Sequence, residues 1–177
     1  MRLLGLPFSV APSMVDEDFD ERAEPRAAVE ELAVRKVKKT LETLKDPLWV
    51  CGADTLIALD GRIYGKARDR DEAASMLRSF QGRTHQALSA VALYCGRNRR
   101  FDCRTSVSEV SFASLAEGEI QWYLDSGEWR DAAGAYKIQG LASCFISGIK
   151  GSYSSIVGLP LREFYAMLRD NGYPYGG

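Results

Sequence analysis

A carboxylate inside an apolar run is the residue of this sequence that most needs an explanation. Asp54 and Thr55 lie in the middle of "LWVCGADTLIALDG", residues 48–61, among valine, cysteine, alanine, leucine and isoleucine. Burying an ionised carboxylate without a partner costs several kcal/mol. Asp54 therefore needs either a compensating cation or a position at a cleft, where its charge has a chemical use.

Lys36 is the second anomaly, because it falls on the apolar stripe of a predicted helix that begins at Pro25 and runs to about Lys45. Two interpretations are open. Lys36 lays its stem along the core and puts its ammonium group in water, or it faces inward at an anion site. The stripe repeats at about 100° per residue and consists of Val29, Leu32, Ala33, Val37, Leu41 and Leu44.

Lys66 and Gln139 are polar residues with a possible ligand-binding use. Lys66 follows a predicted strand and precedes a helix that we expect from about Arg70, so helix N–H groups and a cation could hold phosphate together. Asp69 is expected to cap that helix. The Gln139 amide could match a ring edge that carries a carbonyl and an N–H, or it could satisfy buried backbone groups.

The acidic run around Glu17 and the single histidine are the remaining candidates for a chemical role. The run is either a solvated loop or a source of the one or two protein carboxylates that Mg²⁺ usually takes. His85 is the only histidine, and we expect it to have a structural or hydrogen-bonding role rather than a catalytic one. The acidic residues are Asp16, Glu17, Asp18, Asp20, Glu21 and Glu24.

Composition limits the classes of function. The 23 basic and 24 acidic residues nearly cancel, which argues against binding to a nucleic acid polymer. No apolar run reaches membrane-spanning length. The four cysteines show no C-x-x-C pair, so we expect reduced thiols and a cytoplasmic protein, with a Cys95–Cys103 pair across a hairpin as the alternative.

The elements that must position these residues alternate between strands and helices. The patterns predict a strand at 6–12, two strands joined by a turn at Asp60 and Gly61, and a helix from Arg70 to Phe80. A hairpin through "GRNRR" follows, then a helix capped by Ser114, a strand near 144–149 and a last helix after Pro160. This order predicts an α/β fold with a mixed twisted sheet and flanking helices, in one domain over residues 1–177.

Three segments together resemble a known family in order and spacing. They are "GADTLIALDGRIYGK", "DEAASMLRSFQGRTHQALSAVAL" and "AAGAYKIQGLASCFISGIKGSYSSIVGLPLREFYAML". They resemble the Maf family of nucleotide pyrophosphatases, also called septum formation inhibitor proteins. The resemblance covers nearly the whole chain and implies two lobes around a cleft.

The resemblance also implies an activity and roles for individual residues. Members split nucleoside triphosphates between the α and β phosphates with Mg²⁺ or Mn²⁺, and dimers are usual. Asp54 would accept the proton of the attacking water or hold the metal, and Glu17 would lie near the metal. Lys36 and Lys66 would hold phosphate, while Thr55 and Gln139 would select the base, in the manner of the dTTP/UTP subgroup.

One departure from the family concerns the start of the chain. Members carry a strand and a Ser-x-Ser-Pro-Arg-Arg turn before the segment that corresponds to "LLGLPFSV". We therefore expect Met1 to be an internal methionine of a longer product. The alternative function is a non-catalytic nucleotide-binding or division-linked interaction protein of the same fold.

Overall fold

A computed structural model describes residues 4–12, 15, 18–19 and 23–174. Its helices and strands alternate along the chain, which confirms the α/β class. A 3₁₀ helix, Leu141–Phe145, precedes the last strand. The elements are α1 (Pro25–Leu41), β1 (Trp49–Leu59), β2 (Arg62–Tyr64), α2 (Arg70–Phe80), β3 (Thr84–Cys95), β4 (Arg100–Phe112), α3 (Glu117–Ser126), β5 (Ile146–Lys150), α4 (Tyr153–Val157) and α5 (Leu161–Asp170).

In the described part of the chain, five strands form one sheet in the order β2-β1-β3-β4-β5. Every pairing among the described residues is antiparallel, so the prediction of a mixed sheet is wrong for this part of the chain. The reason lies in the connection through α2. It joins β2 to β3, which run in the same direction, but β1 lies between them and pairs antiparallel with both.

The helices cover both faces of the sheet. Helix α1 packs on the face that carries Leu56, Leu88 and Ala90. The opposite face carries two separate apolar clusters. One joins Ile57 and Ala87 to α2 and α3, and the other joins Val91 and Leu93 to α5. Between them lie Thr55, Ser89 and the short helix α4, so this face has a polar gap between two lobes.

Most element boundaries follow their local signals. The turn at Asp60 and Gly61 has φ angles of 53° and 75°, as a tight hairpin requires, and α2 has the predicted bounds with Asp69 as its cap. The predicted strand at 6–12 is wrong, because this segment forms no ladder with the described strands. Ser114 does not cap α3; the Ala116 N–H instead donates to Glu119 Oε2 at 2.7 Å.

Two further expectations concern the oxidation state of the cysteines and the presence of membrane-spanning helices. All four cysteines are free thiols, as predicted. The β3–β4 register places Cys95 opposite Arg100 and Cys103 opposite Ala92. The alternative prediction, a disulfide between Cys95 and Cys103 across the hairpin, is therefore wrong. Among the described residues, none of the helices has the length and apolar character needed to cross a bilayer.

Candidate active site

Asp54 lies where β1 loses one of its neighbours. Strand β1 pairs with β3 from Trp49 to Ala58, whereas β2 pairs with it only from Ile57 to Leu59. Among the described residues, no other strand fills the position next to the first part of β1. A cleft opens there, and Asp54 and Thr55 line it.

The charge of Asp54 is compensated by Lys36 of α1. The Lys36 ammonium group donates a hydrogen bond to Asp54 Oδ1, and the two side chains are only 19% and 10% exposed. Lys36 therefore points into the cleft. Of the two interpretations of Lys36, the inward-facing one agrees with this position. The anion that Lys36 contacts here is the Asp54 carboxylate.

Gly52 allows α1 to approach β1 closely enough for this pair. A Cβ atom at Gly52 would lie 3.1 Å from Val37 Cγ2 and 3.2 Å from both Ala33 O and Lys36 Cβ. A side chain at residue 52 would thus push the helix away from the strand. The small residue two positions before Asp54 sets the distance between the elements that carry the two charges.

A first cavity, the Gln139 cavity, has a volume of about 280 Å³. Three lysines and two aspartates contribute charge to it, and Tyr136 and Ile156 contribute apolar surface. Gln139 is exposed at this cavity rather than buried. The charged lining residues are Lys36, Lys66, Lys137, Asp54 and Asp131.

A second cavity, the Arg62 cavity, has a volume of about 460 Å³. It shares Asp54, Thr55, Lys66 and Ala133 with the first, so the two form one continuous cleft that meets at Asp54. Its remaining charged lining residues are Arg62, Arg68, Asp18 and Glu72.

Lys66 is held at the junction by backbone pairing. Residues Lys66 and Ala133 form an isolated β-bridge, and the Gly134 N–H donates to Gly65 O at 2.8 Å. Two N–H groups near the start of α2 are already bonded to carboxylates, and the expected phosphate cradle there stays a prediction. The Asp69 carboxylate accepts from Glu72 N–H at 2.8 Å, and the Arg68 N–H donates to the Glu72 carboxylate at 2.8 Å.

The Gln139 segment is fixed from behind by Glu128. The Leu141 N–H donates to Glu128 Oε2 at 2.7 Å, and a Cβ atom at Gly140 would overlap the same carboxylate. A side chain at residue 140 would therefore make the Glu128 carboxylate shift from this position. This contact holds the chain beside Gln139 in one position at the edge of the cleft.

The cleft brings together five of the six site residues predicted from the sequence. Lys36, Asp54, Thr55, Lys66 and Gln139 all line the Gln139 cavity. The sixth, Glu17, lies outside the described residues. Their roles in chemistry stay predictions.

Comparison with known proteins places the chain in a family. The model of the family described as "Maf-like protein" matches residues 1–171. The chain belongs to the Maf family. It is 42% identical over 174 residues to a protein of Symbiobacterium thermophilum named "dTTP/UTP pyrophosphatase", an alignment that covers 98% of this chain and 88% of the relative.

Two other relatives of this Maf chain show how the names vary. A Hahella chejuensis protein, 43% identical over 96% of the chain and 84% of its own length, is also named "dTTP/UTP pyrophosphatase". A Xylella fastidiosa protein, 42% identical over 95% of the chain and 89% of its own length, is named "Nucleoside triphosphate pyrophosphatase". Similar identity thus accompanies both names.

Two residues that line the Maf cleft, and one buried residue behind it, were missed from the sequence. Arg62 and Asp131 gave no local signal, because each follows a turn-forming stretch where charged residues are common. Ser89 lies inside an apolar strand, and only the β1–β3 register, which pairs it with Thr55, shows its place. That register depends on the fold and not on a local motif.

His85 has the structural position expected for it. It is 2% exposed, and its Nε2 lies 2.8 Å from the hydroxyl of Tyr136, which lines the Gln139 cavity. Burial lowers the pKa of His85 to about 4. The imidazole is therefore neutral near pH 7 and supports the cavity wall through Tyr136.

Proposed function

We propose that this chain is a nucleoside triphosphate pyrophosphatase that hydrolyses dTTP and UTP to the monophosphate and pyrophosphate. The observation that carries the proposal is the position of Asp54, at the junction of two cavities with Lys36 and Lys66 beside it. A carboxylate between cations suits hydrolysis of a polyanion. The names of relatives at 42–43% identity support the same activity.

The two cavities suggest how the substrate lies. The nucleoside occupies the Gln139 cavity, where an amide is available to a base edge. The phosphates cross the junction beside Lys66 towards the Arg62 cavity, which has two arginines in its lining. In this arrangement the bond between the α and β phosphates lies next to Asp54.

Asp54 then acts on the attacking water. The water oxygen attacks the α phosphorus, the bond from that phosphorus to the bridging oxygen breaks, and pyrophosphate leaves. The Asp54 carboxylate accepts the proton that the water loses. Lys36 holds the Asp54 carboxylate in place, and Lys66 stabilises negative charge that builds on the phosphates.

A divalent cation, Mg²⁺ or Mn²⁺, fits the donors of this cleft. The described ranges contain no group of three or more His, Cys, Asp or Glu side chains arranged to hold a metal ion. Mg²⁺ usually takes only one or two protein carboxylates and completes its shell with water and substrate phosphates, so Asp54 with the triphosphate is a suitable set. A bound cation supplies Lewis-acid stabilisation of the phosphate oxygens.

The proposal also covers the compartment, the oligomeric state and the kind of partner of the enzyme. Four free thiols are typical of a protein in a reducing compartment, so we place it in the cytoplasm. The assembly implied by the family is a homodimer. The near balance of 23 basic and 24 acidic residues points to a small charged substrate rather than to a nucleic acid polymer.

A panel of triphosphates tests the assignment of substrate. We expect kcat/KM for dTTP and UTP to exceed that for GTP and ATP by about five- to two-hundredfold. A purine base would bury the Gln139 amide without matching its hydrogen bonds, and this weakens binding by about that factor. Gln139→Ala should narrow the gap. Equal rates on purine and pyrimidine nucleotides in the unmodified enzyme would remove Gln139 and Thr55 from the base-reading residues.

A further inference from the structure

A chain of three oxygen atoms connects the cleft to the end of α4. Thr55 Oγ1 lies 2.7 Å from Ser89 Oγ, and Ser89 Oγ donates to the carbonyl oxygen of Ser155 at 2.6 Å. Thr55 lines both cavities, whereas Ser89 and Ser155 are fully buried. The chain therefore starts at the ligand surface and ends in the interior.

Counting protons fixes the direction of these hydrogen bonds. The Ser155 carbonyl has no proton, so the 2.6 Å contact uses the single hydroxyl proton of Ser89. Ser89 Oγ can then only accept from Thr55. The Thr55 hydroxyl proton consequently points to Ser89 and away from the cleft.

The carbonyl at the end of the chain is itself held in place. The Gly158 N–H donates to Ser155 O at 2.8 Å, at the end of α4. A carbonyl oxygen has two lone pairs, and here one receives the amide proton and the other the Ser89 proton. The backbone of α4 thus orients the hydroxyl of Ser89, which in turn orients that of Thr55.

An oriented Thr55 presents only lone pairs to a ligand. Ionised phosphate oxygens also only accept hydrogen bonds, so a phosphate cannot form a hydrogen bond with Thr55 in this orientation. The group that contacts Thr55 must instead donate, which among the parts of a nucleotide leaves a sugar hydroxyl or a base N–H. Because Gln139 lines the same cavity, a base edge can contact both residues.

We propose that Ser89 is a positioning residue for base selection: it keeps Thr55 as a hydrogen-bond acceptor, and Thr55 then favours a pyrimidine with a protonated ring N3. Thymine and uracil carry that proton, whereas cytosine has a lone pair at N3. The proposal rests on the proposed function for the identity of the ligand. It assigns to a buried residue the discrimination between pyrimidines of the same size.

Binding of non-hydrolysable nucleotides tests this inference separately from catalysis. The probes are the α,β-imido analogues of dTTP and dCTP, with affinities measured by calorimetry on the unmodified protein and on Ser89→Ala. The unmodified protein should prefer the dTTP analogue by about five- to two-hundredfold. In Ser89→Ala the Thr55 hydroxyl can rotate and donate, so the preference should fall to within about twofold, partly through tighter binding of the dCTP analogue.

Ser108→Ala is the matched control. Ser108 is also a buried serine, and its Oγ accepts from the Ser152 N–H at 3.0 Å at the start of α4. Its removal takes away this hydrogen bond at the start of α4 but none of the three oxygen atoms of the chain. We expect the dTTP preference to persist in Ser108→Ala, even where its thermal stability falls as much as that of Ser89→Ala.

Several results would overturn the proposal. These are an unchanged preference in Ser89→Ala, an equal change of both affinities, as expected if Thr55 contacts the sugar, and a lack of preference in the unmodified protein. Absence of pyrophosphate release from dTTP, with the analogue preference and its loss in Ser89→Ala both observed, would contradict the proposed activity and support the role of Ser89.

Discussion

At the scale of single residues, the pair of Asp54 and Lys36 is the centre of the account. Each residue was anomalous in the sequence for the same reason, a charge placed among apolar neighbours. The structure joins them in one ion pair at the junction of two cavities. A pair with such low exposure is sensitive to loss of one partner, because the remaining charge keeps its desolvation cost.

Replacing Asp54 with asparagine should separate chemistry from folding. Asp54→Asn keeps the shape of the side chain but removes the proton acceptor, so turnover of dTTP should fall at least about a hundredfold. Steady-state kinetics and a thermal unfolding curve measure the two effects. The matched control is Asp60→Asn, an exposed turn residue paired with Arg83, which should keep normal turnover.

Replacing Lys36 should affect both stability and activity. Lys36→Met leaves the Asp54 carboxylate in the cleft without its ammonium partner, so the free energy of unfolding should fall by about 1–3 kcal/mol. The double variant Lys36→Met/Asp54→Asn should recover most of that stability and remain inactive. A single variant as stable and as active as the unmodified enzyme would show that the pair has no role in either property.

At the scale of elements, the cleft depends on the close packing of α1 against β1. Periodicity alone predicted the helix, the strand and the side of α1 that carries Lys36. It did not predict the partner, because Asp54 lies on another element and the contact depends on how the two pack. Gly52 is the local feature that determines this approach.

Gly52→Ala should therefore lower activity more than an ordinary glycine replacement. The added Cβ meets Val37, Ala33 and Lys36 at 3.1–3.2 Å, so α1 must shift by a few tenths of an ångström and take Lys36 with it. We expect a stability loss of about 1–3 kcal/mol and reduced kcat/KM for dTTP. Gly118→Ala in α3, where the added carbon meets no atom within 4 Å, is the control and should be neutral or stabilising.

The sequence was most informative where a signal is local. The hairpin turn at Asp60 and Gly61, the cap of α2 and the helix after Pro160 follow from turn and capping preferences of short segments. The antiparallel order of the sheet could not be predicted in this way. The alternation of strands and helices along the chain does not reveal that β1 lies between β2 and β3. Ser89 was missed for a related reason, since its use depends on a register between distant strands.

At the scale of the whole molecule, the aromatic cluster around His85 links the core to the cavity wall. The imidazole packs against Phe80, Phe112 and Tyr136. Its ring is almost entirely buried, and burial lowers its pKa to about 4 from the ordinary value of 6.5. A neutral histidine in this place makes the stability of the protein depend on pH.

The sign of that dependence follows from proton uptake. Below about pH 6.5 the unfolded chain binds a proton at His85 that the folded protein does not, so this contribution to stability is complete above pH 6.5 and is lost towards pH 4. Between about pH 7.5 and 4.5 the unmodified protein should lose roughly 2–3 kcal/mol more than His85→Phe. Urea unfolding at both pH values measures the difference; equal losses would mean that His85 titrates normally in the fold.

The most direct test of the central claim is to identify the products formed from dTTP. The protein is incubated with dTTP and Mg²⁺, and ³¹P NMR follows the phosphorus signals, with Asp54→Asn as the paired sample. The account predicts dTMP and pyrophosphate in equal amounts, formed at least about a hundredfold more slowly by the variant. Formation of dTDP and inorganic phosphate, or equal rates in the two samples, would contradict it.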